Sequence, residues 1–135
     1  MKKINYLVFF ASLLFFQCQN KNTEISNGDK VYSSIAFATL NKNIGEIKAD
    51  TSILIDFYAV NTSKNPLIID TVSSSCSCTA SLLKKKVVSP NDSILIQAKY
   101  TPKKKYRGVF EQSLVVSANT NPAFTVLKIS GIVID

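Results

Sequence analysis

An antiparallel β-sandwich is the fold this sequence predicts, set behind an N-terminal export segment. Three observations predict it. After the first twenty residues no stretch keeps a helical period, and short runs rich in Ile, Val and Thr recur between turn-forming clusters. Several of those runs alternate apolar and polar positions, as strands with one buried and one solvated face do. With 135 residues, 46% hydrophobic and 19% charged, the chain has the size and composition of one folded domain, not of a disordered segment.

The strands follow in order. Val31–Leu40 is the first run, and Gly45 marks a short second one at Ile44–Ile47. In Ser52–Asn61 the residues Ile53, Ile55, Phe57 and Ala59 share one face. Thr62–Pro66 is a turn of Ser, Asn and Pro, then Leu67–Ser73 is extended. A weaker stretch covers Leu82–Val88, and Ser89-Pro90-Asn91-Asp92 is a turn. Ser93–Thr101 alternates cleanly, with Ile94, Ile96, Ala98 and Tyr100 opposite Leu95, Gln97 and Lys99. Val109–Ala118 places Phe110, Leu114 and Val116 together, and Phe124–Ile134 is the last strand. The β-branched content suits a pleated surface. Seven to eight strands result, and an immunoglobulin-like antiparallel sandwich of about 100 residues buries one face of each.

Ahead of this domain, Met1-Lys2-Lys3 is followed by an apolar run from Tyr6 to Phe16, interrupted only by Ser12. The run is shorter than the roughly 20 residues a spanning helix needs, and a positive start before it is the pattern of a secretory signal. Cys18 comes directly after Gln17 and resembles the lipid acceptor of a bacterial lipoprotein signal, although Phe16 and Gln17 stand where such signals favour small residues. A signal cleaved nearby would instead leave Cys18 a free thiol. We therefore expect residues 1–17 to be a signal peptide. Residues 18–30, in which Ile25 is the one aliphatic side chain, read as a flexible linker, and 31–135 as the domain.

The net charge of +7 falls to +5 once Lys2 and Lys3 are removed, with 14 Lys and Arg against 9 Asp and Glu. The chain has no His and no Trp, and its one Met is the initiator. This removes imidazole acid–base catalysis, the Ser-His-Asp arrangement, His-ligated metals and a methionine-lined copper site. Asp56, Asp70 and Glu111 are scattered singly on strands and form no catalytic pair.

Cys76-Ser77-Cys78 is the one cluster with chemical potential. In an extended strand residues i and i+2 lie about 6.6 Å apart, whereas a disulfide wants Cβ atoms about 3.8 Å apart. A regular strand cannot close this pair. The two cysteines could be buried apolar groups or a strained local disulfide, a redox pair for thiol–disulfide exchange, or thiolate ligands for Cu(I) or Zn(II). Two thiolates without His are too few for a closed zinc site.

Lys84-Lys85-Lys86 and Lys103-Lys104-Lys105-Tyr106-Arg107 flank the Ser93–Thr101 run. If the two loops meet at one end of the sandwich they form a cationic patch for lipid headgroups, envelope polymer or an acidic partner. Otherwise they are a solvated edge that guards against strand-to-strand aggregation. No aromatic platform interleaves the charges, and nucleic acid is not expected as a partner.

Read in order, Gly45-Glu46-Ile47, Phe57-Tyr58-Ala59-Val60-Asn61-Thr62, Pro66-Leu67-Ile68-Ile69, Ser75-Cys76-Ser77-Cys78-Thr79, Ser89-Pro90-Asn91-Asp92, Gly108-Val109-Phe110 and Ile129-Ser130-Gly131 form a series. It resembles the bacterial domain of unknown function 1573 family over Phe37–Val133. The resemblance implies an immunoglobulin-like sandwich, secreted or lipid-anchored, and no activity. Ser77 and Asn91 stand where that family has Gly, and Asn tolerates the left-handed backbone that the turn requires.

Together these readings lead us to expect an exported protein of the periplasm or outer membrane, lipid-anchored through Cys18. It would be a non-catalytic binding or structural module, with no cofactor and with a protein or acidic envelope polymer as partner. The alternative is a small thiol-redox or metal-handling protein using Cys76 and Cys78.

Overall fold

The computed structural model describes residues 31–135 except 78, 84, 85 and 106. The expected signal peptide, the linker and Cys18 lie outside the described residues. Nine strands are present among the described residues: β1 (Ile35–Phe37), β2 (Asn41–Lys48), β3 (Ile53–Asn61), β4 (Leu67–Ser74), β5 (Thr79–Leu83), β6 (Val87–Val88), β7 (Ser93–Tyr100), β8 (Gly108–Ala118) and β9 (Phe124–Ile134). They form two sheets, ordered β1-β3-β7-β5 and β2-β9-β8-β4-β6. The immunoglobulin-like sandwich expected from the alternation is therefore the fold.

The count reaches nine because the stretch expected at Leu82–Val88 is divided between the two sheets as β5 and β6, and the chain also changes sheet between β1 and β2. After β1 has paired with Ala59–Asn61 of β3, the chain crosses at Ala38–Leu40 and continues in the same direction as β2. β2 then lies parallel to β9, Asn41 opposite Lys128 and Lys48 opposite Ile134. This is the one parallel pairing among the described strands, and local periodicity cannot foresee it, because alternation is identical in parallel and antiparallel neighbours. Likewise β5 pairs with β7 as far as Leu83, after which Val87–Val88 pairs with Leu67–Ile68 of β4 in the other sheet.

The core is made by the alternating faces of the two sheets. Ile55, Phe57, Ala59, Ile94, Ile96 and Ala98 on one side meet Leu67, Ile69, Leu114, Val116, Leu127 and Ile129 on the other, all buried. Burying each large aliphatic or aromatic side chain contributes about 1.5–3 kcal/mol. Asn91 adopts φ +60°, and Asp92 N–H donates to the Ser89 carbonyl at 3.1 Å. With Pro90 before it this is a type II turn, in which Asn replaces the usual Gly.

Ser33, Asn61, Thr79 and Thr120 are buried polar residues among those described, and Asn61 is the most deeply buried of them. Asn61, fully buried, donates through Nδ2 to the carbonyls of Asn65 (2.8 Å) and Val88 (3.0 Å), and its Oδ1 accepts from Ser63 N–H at 3.0 Å. The Ser33 hydroxyl also reaches Oδ1, at 3.1 Å. Asn61 thus fastens the start of the domain, the loop after β3 and strand β6 to one side chain.

Candidate binding cleft

The site is built where β4 ends. The serine-rich segment after Val72 is a set of latches. Ser74 is paired with Leu114, and Ser75 N–H donates to the Ser113 carbonyl at 2.9 Å while Ser113 N–H donates to Ser75 Oγ at 3.0 Å. There the chain leaves β8. Thr79 N–H donates to the Cys76 carbonyl at 3.1 Å, closing a turn that carries the chain to the other sheet. The Ser74 hydroxyl faces the carbonyls of Cys76 (2.8 Å) and Thr79 (2.6 Å), and Ser81 Oγ donates to the Val72 carbonyl at 2.6 Å. The backbone at Cys76 is bent, not extended, so the objection to a disulfide in a regular strand does not apply to it. Cys76 is in a disulfide. Its partner lies outside the described residues, as does Cys78.

Because β4 departs at Ser75, its pairing with β8 ends there. β8 pairs with β9 along Gly108–Ser117, but β4 reaches only Leu114–Ala118. Among the described residues no strand pairs with Gly108–Gln112 on the β4 side. Ser113 directs its N–H and C=O toward β4, and the β8–β9 register has no shift, so Glu111 and Val109 present theirs at the same open edge.

A cleft of about 510 Å³ occupies that vacancy. Its floor is apolar: Tyr100 and Phe110, from opposite sheets, stack with centroids 4.6 Å apart, beside Pro102 and Val133. Cys76 forms one wall. Lys105 and Arg107 stand on the rim with Glu111 and Gln112. Arg107 is bound by the Asp135 carboxylate at 2.5 Å and Glu111 by Lys128 at 3.0 Å, both in exposed pairs. Lys104 lies 3.6 Å from Asp50. Burial pushes the Tyr100 phenol above its ordinary pKa.

The other candidate residues are distributed differently. Lys86 lies at the opposite end of the molecule from Pro102–Gly108: its carbonyl accepts from Ile69 N–H, and Ile69 is opposite Ala118, the far end of β8. Lys86 therefore does not join Lys103–Lys105 and Arg107 in one patch, while Lys84 and Lys85 lie outside the described residues. An eight-residue strand, β7, separates the two loops. Asp56 is held by Gln97 Nε2 at 2.8 Å, and Asp70 is exposed. No group of three or more potential metal ligands occurs among the described residues. Sequence reasoning singled out Cys76 and the basic loop but did not bring them together. Tyr100 and Phe110 were read as core only.

Residues 35–133 match the family described as Protein of unknown function (DUF1573). The chain belongs to that family. Among solved structures, this DUF1573 domain is similar to a protein of unknown function from Porphyromonas gingivalis W83, at TM-score 0.68 and 10% identity, over 76% of this chain and 48% of that one. The chain thus spans about half the length of that relative. It is also similar to the ASH/PapD-like domain 7 of human CEP192, at TM-score 0.62 and 10% identity over 75% of this chain and 85% of that domain. A third likeness is SSP-19, an MSP-domain protein of Caenorhabditis elegans, at TM-score 0.50 and 13% identity over 65% and 92% of the two chains. At these identities the likenesses speak to the fold alone. No protein of curated function matches.

Proposed function

We propose that this protein is an exported, non-catalytic binding module of the bacterial cell envelope, tethered to a membrane through Cys18, and that its ligand occupies the cleft beside β8. The observation that carries this reading is the cleft itself. It has an apolar floor, a rim of Lys105 and Arg107, and a volume in the range of ligand sites, roughly 300–1,000 Å³. The absence of His from the whole chain supports a binding role over acid–base catalysis. The positive start, short apolar run and Cys18 support export and tethering.

The test is a photo-crosslinking amino acid at Val109, which is 84% exposed at the cleft, compared with one at Leu54 on the outer face of the other sheet. Adducts of defined mass from Val109 and none from Leu54 are expected in cells carrying the intact protein. Equal labelling at both positions would sink the cleft reading. Mass spectrometry of the mature N-terminus tests the anchor, and an unmodified end elsewhere than Cys18 would refute it.

A second reading is thiol–disulfide exchange, in which Cys76 and Cys78 are reduced as a substrate dithiol is oxidised. The disulfide of Cys76 on the wall of the cleft supports it. Thiol titration with and without a dithiol reductant tests it: reversible reduction at native pH is expected. Unchanged function in Cys76→Ser and Cys78→Ser variants would discard it.

A further inference from the structure

Resting on the cleft reading, we infer that the occupant is an extended acidic peptide segment that adds a short strand to the uncovered edge of β8. Three features of the site lead there. First, the cleft lies where β4 would continue if it did not turn away at Ser75–Cys76, so it has the place of a missing strand. The edge it faces presents the N–H and C=O groups of Val109 and Glu111. A peptide backbone is the ligand that matches such a row, because its own donors and acceptors repeat at the strand spacing. A lipid headgroup or a polysaccharide has no such row.

Second, an added strand alternates its side chains. Those on one face would enter the cleft toward Phe110, Val133 and Cys76, which calls for apolar residues of moderate size. Third, the rim specifies charge. Arg107 already holds a carboxylate, that of Asp135, in a pair exposed by 60% and 74% on its two sides. An exposed pair contributes only about 0–1 kcal/mol, so an incoming carboxylate displaces it at little cost. Asp135 shows the chemistry that the rim accepts, and Lys105 stands beside the same opening. Glu111 is already engaged by Lys128 on the sheet surface, which moderates its repulsion of an acidic ligand.

The experiment titrates the full-length chain in detergent micelles against a fluorescein-labelled heptapeptide, Thr-Val-Glu-Val-Glu-Val-Thr, followed by anisotropy. The comparators are the same peptide with Lys for Glu and two acidic peptides N-methylated on alternate residues, one for each edge. Strand addition predicts that one N-methylated peptide loses at least tenfold in affinity while the other keeps it, and that the Lys peptide binds at least tenfold more weakly. Val109→Pro removes an N–H at the open edge and spares the β8–β9 ladder. It should cost at least tenfold in binding with the melting transition retained. Should that variant fail to fold, Arg107→Gln, an exposed loop change, carries the test with the same expected direction, and Asp135→Asn should tighten binding two- to threefold.

Equal binding of both N-methylated peptides would overturn strand addition while leaving a side-chain site in the cleft. Equal binding of the Lys peptide would overturn the charge preference. If no peptide binds but the Val109 crosslink forms in cells, this inference fails and the cleft reading stands. If neither occurs, both fail.

Discussion

A Cβ on Gly131 would lie 2.6 Å from the carbonyl oxygen of Gly45, 2.9 Å from the Phe110 ring and 3.0 Å from Ile44. Gly45 is the point at which β2 bulges against β9, with φ +68° and its N–H bound to Asn43 Oδ1 at 2.9 Å. The two glycines, 86 positions apart in the chain numbering, are thus one device. The bulge brings β2 backbone over β9, and only a residue without a side chain fits beneath it. Gly131→Ala should destabilise the domain by about 2 kcal/mol or more, since backbone and not a mobile side chain must give way. Chemical denaturation checks this, and a change under 0.5 kcal/mol would show that β2 moves aside freely.

Asn61 should be as intolerant for a different reason. Asn61→Ala leaves the buried Val88 carbonyl and the half-buried Ser63 N–H without their side-chain partner, while the Asn65 carbonyl keeps the Ser63 hydroxyl at 2.9 Å. Each unsatisfied buried group costs about 1–3 kcal/mol, so we expect a loss of about 2 kcal/mol or more. Asn61→Asp should be at least as costly, because an acceptor would then face two carbonyls. Melting temperatures of the two variants order the effects.

Thr79 offers the opposite sign. Its Oγ1 is buried without a hydrogen-bond partner, and the residue is 4% exposed, opposite Tyr100 on β7. Thr79→Val keeps the shape and removes the unpaired hydroxyl. It should raise stability by about 1 kcal/mol, a shift of about 4 °C or more in Tm for a domain of this size. A fall in Tm would mean that the hydroxyl is satisfied in solution.

Tyr100 makes stability depend on alkaline pH. Burial raises its phenol pKa in the folded chain, so the folded state holds the proton more tightly than the unfolded chain does. That contribution is complete below the unfolded phenol's pKa of about 10 and is lost as pH rises through the higher folded value. Between about pH 9 and about pH 11 the wild-type Tm should fall more steeply than that of Tyr100→Phe. Parallel slopes would exclude the phenol as the cause.

The strands at Ile53–Asn61, Ser93–Tyr100 and Gly108–Ala118 were legible because each spends its length within one sheet. Alternation alone then names the buried face, and Phe57, Ile96 and Leu114 are where it puts them. The stretches Ile35–Lys48 and Thr79–Val88 were less legible. There the chain changes sheet, and the buried face changes with it, which interrupts the period on which the reading depends. Asn61 was visible within a motif, but its role was not. Nothing in its neighbours along the chain indicates that Ser33 and Val88 come to meet it.

Of the cleft, the sequence displayed the parts and not the place. Cys76 and the basic loop were conspicuous by composition, being the only cysteine cluster and one of two lysine runs. Which lysine run faces Cys76 depends on strand direction: β5 and β7 are antiparallel, so Thr79 lies by Tyr100 and the Pro102–Gly108 loop, while Lys86 is carried to the other end. By itself the sequence determined that the domain is an all-β sandwich, which alternation requires in order to bury one face of each strand. It also ruled out imidazole chemistry by having no His. Only the tertiary structure decided that the β4 ladder stops short of Gly108–Gln112 of β8 and that Arg107 and Phe110 border the cleft there. Hydrogen-bond pairing between distant strands sets where an edge is exposed, and that pairing has no local signature.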